Sequence, residues 1–343
     1  MKQESCVFPT TLLRWFKDFG RDLPWRHTRD PYLIWLSEII LQQTRVEQGR
    51  DYWRRFVDRW PTVELLAGAT EDEVLRQWQG LGYYSRARNL HAAARQVVEL
   101  GGFPRSVEEL CKLRGVGEYT AAAIASFAFD VPAAVVDGNV YRVLSRYFGI
   151  DTPIDSSEGH RLFASLAREM LPERQAADYN QAIMDFGATQ CTPVNPACLT
   201  CPLVETCRAQ AEGRVGELPV KQGRTKVQER RLSYVYIRCQ GEVAIRKRGE
   251  GDFWQGLWEP YLMEEGCQLP QDAAPVLLAH DVKHILSHRR LLCDFYLWQT
   301  DSQPALSSDY RWVKEEALDD YAKPRLVEIM LDMVKDYLFK FRL

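Results

Sequence analysis

The sequence has no long hydrophobic run and no secretion signal. No uninterrupted apolar stretch approaches the roughly 18 residues that a membrane-spanning helix needs. The first residues also lack the basic segment and following apolar stretch that mark a secretory signal. We therefore expect a protein without a membrane anchor that works in the cytoplasm.

A strong excess of charge is also missing. The net charge is −3 at pH 7, and residues 1–210 carry 24 Lys and Arg against 26 Asp and Glu. Overall charge therefore gives no argument for nucleic acid, and a DNA-binding chain would need local patches. Residues 221–248 form one basic patch, which equally suits a solvated linker and strand face. Its basic residues are Lys221, Arg224, Lys226, Arg230, Arg231, Arg238, Arg246, Lys247 and Arg248.

The nine cysteines do not form a typical disulfide framework, because their number is odd and no export signal precedes them. Four of them cluster, with six, two and five residues between Cys191, Cys198, Cys201 and Cys207. Structural zinc sites commonly use two short Cys-x-x-Cys pairs, whereas this cluster has one pair with an outlying cysteine on each side. The spacing predicts a metal centre and favours an iron–sulfur cluster over zinc.

Length and pattern indicate two domains, since 343 residues exceed the usual size of one. Up to residue 212 apolar residues recur at helical spacing, whereas later segments such as 231–237 and 291–297 alternate as strands do. We predict a mainly α domain over 1–212, a linker over 213–228 and an α+β domain over 229–343.

Glu38 lies in an apolar helix predicted for residues 30–43, with Asp30 as its N-cap and Pro31 at its first position. A helical glutamate usually faces solvent, because it is rarely buried without a partner. The neighbours of Glu38 are mainly apolar, however, and partial burial raises the pKa of a carboxyl. Glu38 is therefore a candidate proton donor near neutral pH.

Two glycines, Gly115 and Gly117, flank a valine directly before Tyr119 and an alanine-rich run. The pattern predicts a hairpin that opens a buried helix. Backbone N–H groups at such a helix start, with no bulky side chains beside them, let a phosphate approach. A plain turn in a helical core is the competing interpretation.

Asp137 stands between apolar residues and a glycine and is predicted to cap a helix over 139–147. The helix dipole and backbone N–H groups would keep Asp137 ionised while Glu38 stays protonated. Two carboxyls with separated pKa values provide an acid and an anionic stabiliser, as in glycoside hydrolysis.

The loop Gly80–Arg88 is a glycine-marked turn with an exposed pair of tyrosines and two arginines. Aromatic and apolar residues on such a loop either fill a core or wedge between base steps of DNA.

Together these motifs resemble the helix-hairpin-helix DNA glycosylases of the endonuclease III superfamily, and among them the adenine DNA glycosylases of the MutY type. The resemblance rests on Trp35-x-Ser37-Glu38-x3-Gln42-Gln43-Thr44, the Gly80–Asn89 loop, the hairpin with Val136–Val140, and the cysteine spacing. It implies a [4Fe–4S] cluster on a loop over 191–207. It also implies that backbone carbonyls of Cys111, Leu113 and Val116 can hold a Na, K or Ca ion.

The same resemblance assigns roles to residues of this sequence. Glu38 is the catalytic acid and base, and Asp137 stabilises an oxocarbenium ion or traps it covalently. Tyr119 and Asn139 assist them. The base pocket is assigned to Trp25, Arg26 and Gln181, and DNA contacts to Gln43, Leu81, Tyr83, Gly115 and Gly117.

The Gly256–Glu259 neighbourhood resembles a Nudix domain, but the glutamate-rich metal box of active Nudix hydrolases is absent from the sequence. We therefore interpret the C-terminal domain as a recognition module. Relatives of the MutY type carry a Phe-Ser-His loop that senses 8-oxoguanine, and this chain has Leu286, Ser287 and His288 there. Ser287 and His288 are assigned to the lesion, whereas a core turn with an incidental histidine is the alternative.

The resemblance implies a monomeric, monofunctional enzyme on double-stranded DNA. It would flip out adenine paired with 8-oxoguanine or guanine and hydrolyse the N-glycosidic bond. An endonuclease III-type lyase for oxidised pyrimidines is one alternative, but its lysine nucleophile would occupy the position of Tyr119. A non-catalytic hairpin module is the other, although DNA binding alone needs no paired carboxyls near phosphates.

Overall fold

The computed structural model describes residues 4–223, 228–263, 269–270, 273–286 and 289–341, with only the backbone given for 4–6 and 341. The chain divides into two compact units. One contains Met1–Ala67 and Ala92–Arg224, and the other contains Gly68–His91 and Thr225–Leu343. No helix among the described residues is both long and apolar enough to cross a membrane.

Helices make up the regular structure before residue 228. In chain order they are α1 Glu4–Phe19, α2 Pro31–Leu41, α3 Val46–Arg59, α4 Val63–Gly68, α5 Glu71–Trp78, α6 Ser85–Glu99, α7 Val107–Leu110, α8 Glu118–Phe129, α9 Gly138–Phe148, α10 Ser157–Met170, α11 Ala176–Thr189 and α12 Arg208–Ala211. Short 3-10 turns occur at Pro24–Arg26, Cys198–Thr200 and Val204–Thr206.

The start of α2 follows the sequence prediction. The side chain of Asp30 accepts a hydrogen bond from the backbone N–H of Tyr32 at 2.8 Å, and Pro31 occupies the first turn. Because these residues satisfy or remove N–H groups that a helix start leaves unpaired, α2 begins where the sequence predicts. Glu38 therefore falls near the middle of a buried helix.

Two clusters of buried side chains form the described core of the first unit. In one, Phe8 and Leu12 of α1 pack against Leu144 of α9 and Phe186 of α11. The other surrounds the alanine-rich α8, where Ala122 and its neighbours pack against Ile34 of α2. Because alanine side chains are small, α8 approaches α2 closely and brings the hairpin next to Glu38.

The second unit contains a six-stranded mixed sheet. Its strands are β1 Gln228–Cys239, β2 Glu242–Lys247, β3 Trp258–Met263, β4 Val276–Leu286, β5 Arg289–Thr300 and β6 Tyr310–Lys314, followed by α13 Arg325–Phe341. Their order is β4-β5-β1-β3-β2-β6. The strands β1 and β5 pair in parallel, with Val235 opposite Tyr296, whereas the other pairs are antiparallel. The predicted fold class, mainly α followed by α+β, is confirmed.

The segment Gly68–His91 belongs by its contacts to the second unit. Gln79 accepts a hydrogen bond from the backbone N–H of Lys323 at 3.2 Å, and Arg88 donates to the carbonyl of Gln255 at 2.6 Å. The hydroxyl of Tyr84 donates to the carbonyl of Lys323 at 3.3 Å. The glycine-marked loop is therefore fixed to the C-terminal unit, while the limits 1–212 and 229–343 stay a prediction.

We predict that Gly187→Ala destabilises the first unit. An added Cβ would lie 2.6 Å from the Cβ of Asn139 and 2.9 Å from its carbonyl oxygen. Overpacking of this kind costs about 1–3 kcal/mol, so the midpoint of thermal unfolding should fall. Gly68→Ala is the control, because a Cβ there meets nothing within 4 Å. An unchanged midpoint for Gly187→Ala would show that α9 and α11 can move apart at no cost in stability.

Candidate active site

A cavity of about 410 Å³ in the first unit brings together five residues that the sequence predicts for the site. Its lining includes Glu38 of α2, Asn139 of α9 and Gln181 of α11, together with Trp25 and Arg26 of the 3-10 turn. The five residues lie far apart along the chain, so the cavity depends on the packing of these helices rather than on one local motif.

Glu38 is buried, with 7% of its surface exposed. Its carboxyl accepts a hydrogen bond from the hydroxyl of Tyr119 at 2.8 Å. Burial raises the pKa of Glu38 to about 7; the hydrogen bond from Tyr119 opposes this rise, the charge of Asp137 adds to it, and Arg26 opposes it. A carboxyl with this pKa can both donate and accept a proton near neutral pH.

Asp137 lies close enough to raise the pKa of Glu38, and it caps α9 as the sequence predicts. Its carboxylate accepts hydrogen bonds from the backbone N–H groups of Asn139 at 2.9 Å and Val140 at 2.8 Å. The side-chain amide of Asn139 donates a third at 2.7 Å.

Burial raises the pKa of Asp137, although these hydrogen bonds and the charge of Arg142 act in the opposite direction. The sequence had led us to expect only the lowering influences. Hydrogen bonds to the charged form of a carboxyl favour its ionisation. Asp137 accepts three such hydrogen bonds, whereas Glu38 accepts one from the Tyr119 hydroxyl. The proton shared by the pair therefore lies on Glu38.

Arg142 was not predicted from the sequence as a site residue; it is buried in α9 with 8% of its surface exposed. One of its terminal nitrogens donates to the side chain of Asn139 at 2.8 Å and to the carbonyl of Gly187 at 2.6 Å. Its Nε donates to the carbonyl of Cys191 at 2.8 Å. Arg142 therefore joins the residue that contacts Asp137 to the cysteine loop. Arg142 follows Asn139 by three residues, and this helical spacing is the sequence feature that indicates their contact. The contacts of Arg142 with Gly187 and Cys191 have no such indication.

The hairpin before α8 exposes backbone. Gly115 takes a φ of 74°, in the left-handed region, and Gly117 is the N-cap of α8. Both glycines are exposed, whereas Leu113 and Val116 are buried and anchor the turn. A Cβ at Gly117 would meet nothing within 4 Å, so the N-terminus of α8 is open on this side. The ion at the hairpin carbonyls stays a prediction.

Two loops that we assigned to DNA contact adopt unusual backbone conformations. Gln43 of the first unit is exposed with a φ of 61°, and Tyr83 of the second unit is 46% exposed with a φ of 47°. Left-handed conformations are uncommon for such side chains and often occur at functional loops. Leu81 and Tyr84 are buried, so the expected exposed pair of tyrosines reduces to Tyr83 alone.

The basic patch over residues 221–248 is largely occupied by ion pairs within the second unit. Arg231 pairs with Asp281, Arg238 with Glu315 and Lys247 with Asp72. Arg246 and Arg248 both pair with the buried carboxylate of Glu259. Five of the nine basic residues are therefore paired within the second unit, whereas Arg224 and Lys226 lie outside the described residues.

The four clustered cysteines line one small cavity in the first unit and carry free thiols. Arg146 donates to the sulfur of Cys191 at 3.4 Å, and the thiol of Cys207 donates to the carbonyl of Arg146 at 3.6 Å.

The assignment of Ser287 and His288 to the lesion stays a prediction. Ser287 and His288 lie outside the described residues, between the end of β4 at Leu286 and the start of β5 at Arg289. Leu286 lines a cavity of the second unit together with Tyr83, Phe253 and Trp254.

We predict that Glu38→Gln stabilises the protein at pH 8. The folded-state pKa of about 7 lies above the ordinary value of 4.5, so the folded state loses stability as pH rises through this interval. The loss at pH 8 is about 3 kcal/mol, and glutamine does not ionise. Thermal unfolding should show a higher midpoint than wild type at pH 8 and a similar one at pH 4.5. Glu169→Gln is the control, because it makes the same change of charge at an exposed position. Equal midpoints for wild type and Glu38→Gln at both pH values would contradict a raised pKa.

Comparisons with known proteins match both parts of the chain. The family described as "HhH-GPD superfamily base excision DNA repair protein" matches residues 36–169, and the NUDIX domain family matches residues 233–333. Among solved structures, a thermostable thymine-DNA glycosylase superposes with a TM-score of 0.58 at 33% identity, covering 62% of this chain and 98% of that one. An endonuclease III in a DNA complex superposes with a TM-score of 0.54 at 24% identity, over the same shares of the two chains, and supports the fold alone.

Curated relatives are named adenine DNA glycosylase. The protein of Mus musculus is 44% identical over 66% of this chain and 46% of its own length. The protein of Homo sapiens is 44% identical over 60% of this chain and 40% of its own length. This chain therefore spans about half the length of the mammalian relatives that it matches. The protein of Buchnera aphidicola subsp. Baizongia pistaciae (strain Bp) is 34% identical over 74% of this chain and 73% of its own length. The chain belongs to the adenine DNA glycosylase family.

Proposed function

We propose that this chain is a monofunctional glycosylase that removes adenine from double-stranded DNA where adenine is paired with 8-oxoguanine or guanine. The observation that carries the proposal is a pair of neighbouring carboxyls: Glu38 lines the cavity, and Asp137, which is not among the lining residues, lies close enough to raise the pKa of Glu38. Glu38 is buried with a pKa near 7, and Asp137 is fixed beside it by three hydrogen bonds. Such a pair suits the cleavage of a glycosidic bond.

In this proposal adenine leaves the duplex and enters the cavity, because a carboxyl has no access to a base within the helix. Glu38 gives its proton to the imidazole ring of the purine. The bond between the sugar and the base then breaks, and its electron pair stays with the protonated adenine. Asp137 stabilises the resulting oxocarbenium ion by its charge. Water adds to the sugar carbon, and its proton passes to Glu38, which restores the starting state.

Neighbouring residues position these groups. Tyr119 holds the carboxyl of Glu38 through its hydroxyl, and Asn139 holds that of Asp137 through its amide. The buried ring of Trp25, packed edge-on against Trp53 at 5.8 Å, forms an apolar wall for the purine. Arg26 and Gln181 supply polar groups at the edge of the base.

We assign DNA contacts to three surfaces. Backbone N–H groups near Gly115 and Gly117 suit a phosphate, because they open the N-terminus of α8. Gln43 and Tyr83, which are exposed, fill the base stack beside the flipped nucleotide. Leu81 is buried, so its assigned contact with the stack requires the loop to move. Ser287 and His288 recognise the base opposite adenine. The chain acts on DNA as a monomer.

We also propose that Cys191, Cys198, Cys201 and Cys207 hold a [4Fe–4S] cluster. The proposal rests on four thiols around one cavity and on their sequence spacing, with six, two and five residues between successive cysteines. The cluster would supply cross-links within a loop that has little other regular structure. Arg142 and Arg146 also hold this loop, because they donate hydrogen bonds to the carbonyls of Cys191 and Thr192.

Excision should depend on both carboxyls. We expect Glu38→Gln and Asp137→Asn each to lower the single-turnover rate by about a hundredfold or more, with affinity for the DNA largely kept. The assay uses a duplex with adenine opposite 8-oxoguanine, followed by alkaline cleavage of the abasic site. Glu169→Gln, an exposed substitution of equal charge change, should keep the wild-type rate.

Two results would contradict this assignment. A wild-type rate in Glu38→Gln would remove the acid from the mechanism. Strong covalent trapping by borohydride would instead favour a lyase, because a Schiff base requires an amine. We expect no such trapping, since Tyr119 occupies the position where a lyase has its lysine.

Metal analysis tests the cysteine site. We expect purified protein to be brown and to contain about four iron atoms and four sulfides for each chain. Cys198→Ser should lower the iron content, whereas Cys111→Ser should not, since Cys111 lies outside the cavity that the four thiols line. A colourless protein with one zinc ion for each chain would contradict the cluster.

A further inference from the structure

Asp185 is a buried charged residue that the proposed mechanism does not use. It lies in α11, one helical turn after Gln181, and lines the same cavity as Glu38. None of its surface is exposed. A buried carboxylate without partners is strongly unfavourable. The groups that bond to Asp185 therefore indicate its role.

The partners of the Asp185 carboxylate are two arginines that line the same cavity. Arg26 donates through both terminal nitrogens, one to each carboxylate oxygen, at 2.8 Å. Arg21 donates through its backbone N–H at 2.9 Å and through Nε and a terminal nitrogen at 2.9 and 2.5 Å. The carboxylate thus accepts five hydrogen bonds from residues about 160 positions away in the chain.

This network fixes the guanidinium of Arg26 more firmly than that of a surface arginine. Besides Asp185, Arg26 donates to the carbonyl of Arg21 at 2.8 Å and stacks on the ring of Phe16 at 5.2 Å. A bidentate fork defines both the position and the plane of a guanidinium. Arg26 can therefore present a constant edge to a ligand in the cavity.

Asp185 also balances charge near the catalytic acid. Burial alone would raise the pKa of Asp185, but the hydrogen bonds from Arg26 and Arg21 outweigh burial and hold the pKa below its ordinary value. Asp185 is thus an anion that offsets part of the positive charge of the two arginines. The groups that act on Glu38 are Tyr119, Asp137 and Arg26, and only Arg26 among them is a cation.

We propose that Asp185 is a positioning residue for base excision: it locks Arg26, together with Arg21, in the cavity wall so that the purine is oriented toward Glu38. The inference rests on the proposed function, since it concerns the same cavity and the same base. Asp185 itself need not touch the base, because its carboxylate is occupied by five donors.

A double-mutant cycle tests this coupling. Single-turnover excision would be measured for wild type, Asp185→Asn, Arg26→Gln and the double variant. If Asp185 acts through Arg26, each single variant should be slower by about tenfold and the double variant no slower than Arg26→Gln. Losses that multiply to about a hundredfold in the double variant would overturn the proposal, because independent contributions add in free energy.

Arg26→Lys provides a second variant in case Asp185→Asn folds poorly. Lysine keeps the charge of Arg26 but loses the planar fork. We expect its rate to fall about as far as that of Arg26→Gln, with the thermal midpoint of wild type largely kept. A wild-type rate in Arg26→Lys would show that the fork held by Asp185 is not needed.

Arginine side-chain NMR separates this proposal from the proposed function. The guanidinium signals of Arg26 should show restricted rotation in wild type and lose it in Asp185→Asn, whatever the enzyme excises. Free rotation in wild type would overturn the positioning role. Inactivity of wild type on adenine duplexes would instead overturn the proposed function, while the NMR result still decides whether Asp185 holds Arg26.

Discussion

The hydrogen bonds at the first turn of α9 fix the carboxylate of Asp137 through Asn139, which lines the same cavity as Glu38. Two of the three donors are backbone N–H groups that every helix start leaves unpaired, so the local fold supplies them without extra side chains. The third donor, Asn139, is itself held by Arg142. Arg142 reaches α11 at Gly187, where the absence of a side chain lets the two helices approach. The position of one carboxylate therefore depends on the packing of α9 against α11.

The difference between the two carboxyls follows from their donors. Both are desolvated, which raises the pKa of each. Glu38 lies in the middle of α2, where backbone N–H groups are committed to the helix, so only a side chain such as Tyr119 can reach it. Asp137 lies at a helix end, where N–H groups are available. Keeping Glu38 buried costs about 3 kcal/mol above neutral pH, a large share of a typical stability of about 5–15 kcal/mol. A buried acid with this cost is expected at a functional site rather than in a core selected for stability.

Local features were predictable from the sequence, and long-range ones were not. Asp30 and Asp137 were identified as caps because capping depends on neighbouring residues. Burial of Glu38 followed from the apolar residues around it. The contact of Asp185 with Arg26 spans 159 positions, and no pattern within one helix specifies such a pair. Tyr84 was expected at the surface beside Tyr83, but it is buried with its hydroxyl bonded to Lys323, whose proximity depends on the tertiary fold.

The charge of the chain illustrates why local arrangement matters more than composition. Charges separated by more than about 8–10 Å are largely screened at physiological salt, so a net charge of −3 does not determine what a cavity or hairpin attracts. Several of the arginines that make residues 221–248 look basic are paired, two of them with the buried carboxylate of Glu259. The hairpin, by contrast, needs no basic side chain to favour an anion, because Gly117 leaves the N-terminus of α8 open. A sequence count of Lys and Arg therefore does not by itself locate an anion site, since it counts paired cations and omits backbone N–H groups.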